Sequence, residues 1–234
     1  MILFSEIFAR AIRLFDDPEI NRLYATNQVA FAKKMRPFLV NGLGKFVTPI
    51  IIASMTNDYD DADGKIEIFD GADTDTYTLS TIPAENAELC CMIDGKIDFL
   101  ATYNAETQSV TFSKVVTSEQ QCSVEWYYAG AFTADFTKSG AFGTNSATVV
   151  EQTKNILAHC LALSWAEQSK NFLLDIRNWL QDTDFKLYSP AHAIESKIKW
   201  HKDVERGLDD LTNSLGWLVR TNATYAAGGK VNGR

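Results

Sequence analysis

Residues 189–218 carry the pattern that most constrains how this chain can fold. Apolar positions recur there at alternating steps of three and four, which predicts one apolar stripe along a continuous α-helix. The stripe, which we call the seam, consists of Ile194, Ile198, His201, Val204, Leu208, Leu211, Leu215 and Leu218. Ser189 can cap this helix and Pro190 suits its first turn. A helix of this length extends roughly 45 Å, so it needs another helix beside it.

The preceding stretch supplies that second helix. From about Ala147 the apolar residues again follow a near-heptad spacing, and residues 182–189 form a short polar connection. Two long helices joined by a short loop predict an antiparallel hairpin over residues 146–220. Residues 221–234 contain Gly228, Gly229 and Gly233 and little to bury, so we expect a flexible tail.

The N-terminal part, residues 1–55, is expected to be helical. The spacing predicts a helix over 5–16 and a second over 18–35, where Asp17 serves as the N-cap and Pro18 as the first helical residue. Pro37 is expected to open a third segment. These helices and the C-terminal hairpin together form one helical body.

The periodicity drops to two over residues 56–145, which predicts an inserted β-domain. The expected strands are 65–69, 76–79, 87–93, 96–103, 109–116 and 123–128, and residues 132–145 are expected to be an exit loop. Asp94-Gly95 predicts a type I′ hairpin turn. The fold class is therefore α+β: a helical body with an inserted antiparallel β-sandwich or barrel.

Composition and net charge limit the classes of function that the chain can have. The net charge of −8 and the pI near 4.9 argue against binding nucleic acid through its phosphates, although an acidic surface suits a lumen along which DNA slides. We expect Cys90, Cys91, Cys122 and Cys160 to be buried free thiols, because none has the spacing of a metal site. The apolar N-terminus is interrupted by charges, and no run is long enough to cross a membrane.

No catalytic constellation is found. The acidic loop before Lys65 resembles a calcium loop around Asp61, Asp63 and Gly64, but Tyr59 occupies the first ligand position, so a solvated turn or a weak cation site is expected. His159, His192 and His201 lie in no zinc or nucleophile motif; on the seam, His201 is expected to be a hydrogen-bonded interface histidine. We expect no enzymatic activity, no cofactor and no metal.

Three stretches carry a resemblance that spans most of the chain. They are FSEIFARAIRLFDDPEINRLYATNQVAFAKKMRPFL, ILAHCLALSWAEQSKNFL and DFKLYSPAHAIESKIKWHKDVERGLDDL, with a β-rich region between the first and the second. Together they resemble the head–tail connector (neck or adaptor) proteins of tailed bacteriophages. The resemblance implies a structural virion protein that assembles in the bacterial cytoplasm as a ring, commonly dodecameric, below the portal. DNA would pass through the ring during ejection without sequence-specific binding, and no membrane would be involved.

The resemblance also implies partners, which are further copies of the chain, the portal protein and adjacent neck or tail proteins. Residues expected at an interface with the chain itself or with the portal are Leu208, Leu211, Leu215, Trp217, Leu218, Tyr225, Lys230 and Arg234. Many connectors of this kind are wholly helical, so the β-domain leaves open a tail or baseplate component. A cellular β-sandwich protein-binding module with a helical hairpin also fits the sequence.

Overall fold

The computed structural model describes residues 1–45, 55–58, 65–134, 146–181 and 190–226. Their structure is α+β, with long helices and antiparallel sheets. The chain divides into two compact units. A helical unit comprises Met1–Asp16, Met35–Asn57 and Ala131–Arg234, and a β unit comprises Asp17–Lys34 and Asp58–Gly130.

The helical unit is built around α4, Ser146–Gln181. Between Thr153 and Leu163 every side chain of α4 is buried except those of Asn155 and His159, which are half-buried. A helix that is apolar on all sides needs neighbours on all sides. Three elements supply them: α1 (Phe4–Ala11), the end of α3 (Gln28–Gly42) with the 3-10 helix Leu43–Lys45, and α5 (Pro190–Ala226).

Aromatic side chains fill the space between these helices. Phe132, on strand β10 (Ala131–Ala134), packs against Phe4 with ring centroids 4.6 Å apart. The ring of Trp165 on α4 makes T-shaped contacts with Phe38 and Phe15, with ring centroids 5.1 Å and 6.5 Å away. Strand β10 lies between β1 (Ile2–Leu3) and β2 (Met55–Asp58) in a small three-stranded sheet. The N-terminus therefore begins in this sheet before entering α1.

The seam predicted for α5 is confirmed. Ile194, Val204, Leu208 and Leu215 are buried, and the four seam residues between or beyond them are half-buried. The other faces of α5 are exposed and charged, so α5 lies at the outside of the unit while α4 lies at its centre. The helix continues to Ala226, so residues 221–226, which we expected in a flexible tail, are helical.

The N-terminal helices differ from the prediction. Asp17 caps α2 (Pro18–Thr26) as expected, and its carboxylate accepts hydrogen bonds from the backbone N–H groups of Glu19 and Ile20. The predicted helix 18–35 is instead split at Asn27. The Asn27 side chain accepts from Ala30 N at 2.8 Å, which starts α3 with a second side-chain cap. The helix predicted over 5–16 ends at Ala11.

Pro37 does not open a new segment, because it lies inside α3. A proline within a helix removes one backbone hydrogen bond and costs about 3 kcal/mol. Met35 and Leu39 on either side are fully buried, so their packing holds the helix together through this defect. Tertiary contacts therefore outweigh the tendency of Pro37 to interrupt the helix.

The β unit contains a sandwich of two antiparallel sheets. One has the strand order β3-β9-β5-β6, formed by Lys65–Asp70, Gln121–Tyr127, Glu88–Ile93 and Lys96–Ile97. The other has the order β4-β8-β7, formed by Thr74–Thr78, Ser109–Val116 and Thr102–Asn104. Their facing side chains make one apolar cluster with Val110, Val124 and Trp126 at its centre.

The hairpin turn at Asp94-Gly95 is confirmed, since both residues have positive φ, at 49° and 72°. The strand predicted over 96–103 is divided in two, because Asp98 stops it: its carboxylate accepts from the backbone N–H groups of Leu100 and Ser113. The expected exit loop is wrong at its start, where Phe132 belongs to β10. Its remaining residues from 135 onward, like the connection 182–189 with Ser189, lie outside the described residues.

The seam can be tested with a matched pair of variants on α5. Leu215 is 0% exposed and Trp217, two residues later, is 71% exposed. We expect Leu215→Ala to lower the free energy of unfolding by about 2–5 kcal/mol, because it removes buried methyl groups and leaves a cavity. Trp217→Ala should change it by no more than about 0.5 kcal/mol. Chemical denaturation measures both, and equal effects would contradict the orientation of α5.

Candidate interaction surfaces

The residues predicted to form an interface do not share one surface. Leu208 and Leu215 are buried in the hairpin and Leu211 and Leu218 are half-buried there, so these four residues hold α5 to its own unit. Trp217 is the member that is exposed. Tyr225 lies in the last turn of α5, with its side chain outside the described residues, as are Lys230 and Arg234 altogether. Among the members whose side chains are described, Trp217 alone is exposed, and the interface role of the set stays a prediction.

A charged cluster fixes α1 on α4. The ammonium of Lys154, which is 9% exposed, donates to Glu6 Oε1 at 2.7 Å and to Glu151 Oε1 at 3.1 Å. Arg10 donates to the other oxygen of Glu151 at 2.5 Å and to Asn155 Oδ1 at 2.6 Å. Hydrogen bonds from Lys154 and Arg10 lower the pKa of Glu151. Because this pKa lies below its unfolded value, the contribution of Glu151 to stability is present at neutral pH and is lost in acid.

The N-terminal half of α5 is tied to the segment after α1. Trp200 donates its indole N–H to the carbonyl of Leu14 at 2.7 Å, and the Lys197 ammonium donates to the carbonyl of Asp16. The same ammonium lies 5.1 Å from the ring centroid of Trp200, within cation–π range. Lys197 and Trp200, which lie beside the seam, are therefore used for internal packing.

Two histidines lie between α4 and α5. The Nε2 atom of His201 is buried and has no hydrogen-bond partner among the described residues; Glu167 is 3.8 Å away, and Glu205 lies 4.0 Å from Nδ1. His201 thus has the predicted place on the seam but not the predicted hydrogen bond. The ring of His159 bonds through Nδ1 to the Asn155 carbonyl at 2.9 Å and faces Gly207 on α5.

The four cysteines are buried and free, as expected. Burial raises the pKa of Cys91 and of Cys160 to about 12, so both thiols are protonated at neutral pH. Among the described residues, no group of three or more His, Cys, Asp or Glu side chains is placed to hold a metal ion. The acidic loop with Asp61, Asp63 and Gly64 lies outside them, so its predicted role stays a prediction.

The β unit exposes apolar side chains that we did not predict to be functional. Ile66 and Ile68 on β3 are 53% and 58% exposed, and Phe99 and Leu100, just after β6, are 68% and 76% exposed. The sequence held a signal for the first pair, since Ile66 and Ile68 alternate with Glu67 and Phe69 and so share one face of the strand. Phe69 packs against the core of the sandwich, so the opposite face of β3, which carries Ile66 and Ile68, lies on the outside.

Two hollows border β6. One has a volume of about 280 Å³ and is lined in part by Ala25, Cys90, Ile97 and Phe99. The other has a volume of about 320 Å³; its charged lining residues are Asp94, Lys96, Asp98 and Lys114. Both linings mix polar and apolar groups. These hollows and the exposed residues around them form the second candidate surface besides Trp217.

The close contact between α4 and α5 gives a matched test on two glycines. A Cβ at Gly207 would lie 3.0 Å from His159 Nε2, whereas a Cβ at Gly216 would meet nothing within 4 Å. Gly216→Ala should stabilise the protein by roughly 0.5–1 kcal/mol, because alanine favours a helix over glycine. Gly207→Ala should instead destabilise it, since the His159 ring is held by its hydrogen bond and cannot retreat freely.

A double-mutant cycle tests whether the His159 ring causes the loss of stability expected at Gly207. In a His159→Ala background, Gly207→Ala should become favourable by about the same amount as Gly216→Ala. Denaturation of the four proteins measures this, and a penalty at Gly207 that persists without the histidine ring would show that another contact sets the helix spacing.

No described helix is long and apolar enough to cross a membrane. Comparisons of the chain with protein-family models, with curated proteins and with solved structures gave no match. A function must therefore be argued from the surfaces described above and from the organisation of the chain. The organisation of the chain is dominated by a 36-residue helix with a buried central stretch and a 37-residue helix that exposes charged side chains and one large aromatic side chain.

Proposed function

We propose that the protein is a structural component of a bacteriophage virion, a head–tail connector (neck or adaptor) subunit that forms a ring below the portal. The observation that carries the proposal is the helical hairpin. A 37-residue helix is about 55 Å long, and over its described side chains, residues 194–218, α5 buries a single stripe. A helical hairpin of this kind can form one segment of a ring wall, because the exposed faces of α5 remain available to neighbouring subunits.

The distribution of charge supports the same function. The exposed side chains of α5 include Lys199, Lys202, Asp203, Glu205, Arg206, Asp209 and Asp210. Both signs are interspersed, so this face offers ion pairs to a neighbour without a basic stripe that would hold DNA. With a net charge of −8, the chain as a whole repels a phosphate backbone, as a channel for DNA passage requires.

Trp217 marks the place where another protein would dock. A tryptophan that is 71% exposed presents a large apolar surface, and such residues often dominate the binding energy of an interface. It lies nine residues before the end of α5 at Ala226. In the proposed assembly Trp217 contacts the portal ring, and the chain has no enzymatic activity and needs no cofactor.

Mass measurement tests the proposed function. A ring of twelve 26.1 kDa chains has a mass of about 313 kDa. We expect the chain to join a purified portal ring encoded beside its own gene, and negative-stain images to show an added ring. A chain that stays monomeric and ignores the portal would favour a protein-binding module. Joining tail-tube or baseplate proteins instead of the portal would favour a tail component.

The docking role of Trp217 is tested in the same assay. Trp217→Ala should weaken recruitment to the portal ring by at least about tenfold, because truncating a dominant aromatic side chain of an interface costs about 2 kcal/mol or more of binding and about 1.4 kcal/mol is tenfold. Asn213→Ala, at another exposed position of α5, is the control. If both variants are recruited like the unmodified chain, Trp217 is not part of the docking surface.

A further inference from the structure

The side of α5 opposite the seam carries a second regular stripe of side chains. Its positions also recur at alternating steps of three and four, and all of them are exposed. Among the described residues, none of its four charged side chains forms an ion pair. These charges therefore remain available to another molecule. We call this set the outer stripe; it consists of Ser196, Lys199, Asp203, Arg206, Asp210, Asn213 and Trp217.

The charges of the outer stripe alternate in sign. From its N-terminal end they are Lys199, Asp203, Arg206 and Asp210. Taken from the other end, the order of signs is inverted, so the stripe is complementary to a reversed copy of itself. The spacing is symmetric as well, since steps of four, three and four separate the charged residues in either direction.

A second copy whose α5 runs antiparallel to the first brings unlike charges together along the outer stripe. With the two-fold axis midway between Asp203 and Arg206, Lys199 lies opposite Asp210 of the second copy, and Asp203 lies opposite Arg206 of the second copy. The symmetry repeats both contacts. Packed helices have axes about 8–10 Å apart, which long charged side chains can span. Every charge of the stripe then has a partner of opposite sign.

Other arrangements of two such helices are less complementary. A parallel pair in register places each charge beside the same charge of the second copy. A parallel pair shifted by one stripe position leaves Lys199 of one copy and Asp210 of the other unpaired. Lys202 and Asp209, which are exposed on one flank of the stripe, approach each other when the helices are antiparallel. The charge pattern therefore favours the antiparallel pair.

Trp217 adds apolar surface at both ends of the same contact. It follows Asn213 in the outer stripe, so in the antiparallel pair it lies opposite the first turn of α5 of the second copy. Because its side chain is 71% exposed in the single chain, pairing removes apolar surface from water. Exposed ion pairs contribute little affinity but select the orientation of a contact. The tryptophan thus supplies affinity and the charges supply the register.

We propose that two copies of this chain form a two-fold symmetric dimer through the outer stripes of their antiparallel α5 helices. The partner is a second copy of the same chain. A two-fold contact uses the same surface on both copies and is complete after two, so this dimer is distinct from a ring. The dimer does not rest on the proposed function. If the chain also docks on a portal through Trp217, the dimer must open first.

Charge-reversal variants test the ion pairs. Asp203→Lys/Asp210→Lys makes the outer stripe wholly basic, and Lys199→Glu/Arg206→Glu makes it wholly acidic. We expect the unmodified chain to dimerise with rising concentration in analytical ultracentrifugation. Each variant alone should associate at least about tenfold more weakly, because like charges then face each other. A mixture of the two variants should again form a dimer of about 52 kDa.

A control variant separates the stripe from net charge. Glu106→Lys/Glu119→Lys changes the net charge of the chain by the same amount as the basic stripe variant, but at exposed positions of the β unit. It should dimerise like the unmodified chain, and circular dichroism confirms that each variant is folded. The contact is overturned if the stripe variants associate like this control, or if their mixture stays monomeric.

Cross-linking tests the orientation while the ion pairs stay intact. Ser196 lies opposite Asn213 of the second copy in the antiparallel pair and far from Ser196 of that copy. A short thiol-reactive cross-linker should therefore link Ser196→Cys to Asn213→Cys in a mixture and link neither variant to itself. The four natural cysteines are buried and should not react.

Two further results would overturn the proposal. One is cross-linking of Ser196→Cys to itself, which indicates a parallel pair, and the other is an unmodified chain that stays monomeric. A monomeric chain that still joins a portal ring would disprove the dimer and leave the proposed function standing.

Discussion

The contact between α4 and α5 is the constraint on which the helical unit depends. Between Thr153 and Leu163 the central helix α4 has no exposed side chain, and α5 covers one side of α4 with a single stripe of apolar residues. Because glycine has no side chain, the backbone of α5 at Gly207 lies close to the His159 ring of α4. A second glycine acts in the same way at the end of α3, where a Cβ on Gly42 would lie 2.6 Å from the carbonyl oxygen of Cys160. Small residues thus set the distances at which larger ones pack.

The sequence predicted those elements whose signals are local. The seam of α5, the cap at Asp17 and the hairpin at Asp94-Gly95 each depend on periodicity or turn chemistry within a few residues, and each is confirmed. Features that depend on residues distant in sequence were not predicted. Pro37 stays inside a helix because distant side chains bury Met35 and Leu39, and β10 forms because Ile2 and Leu3 lie beside it.

The same difference between local and distant information applies to the candidate surfaces. The seam was predictable as an apolar stripe, but a stripe does not reveal whether its own chain or a partner covers it. Leu208 and Leu215 proved to be internal, while Trp217, just off the stripe, is exposed. The edges of the β-sheet could not be identified from residues 65–70 and 96–100 alone, because strand order is decided by pairing across the whole sandwich. Exposed edges are therefore visible only in three dimensions.

The buried thiols have a chemical consequence for the durability of the protein. Oxidants and alkylating agents attack the thiolate form of cysteine, and access to the sulfur also limits the reaction. Cys91 and Cys160 are buried, and burial keeps both as thiols by raising their pKa to about 12. Folding therefore protects these sulfur atoms, and the folded chain resists oxidation and disulfide exchange at these sites for as long as its core stays closed.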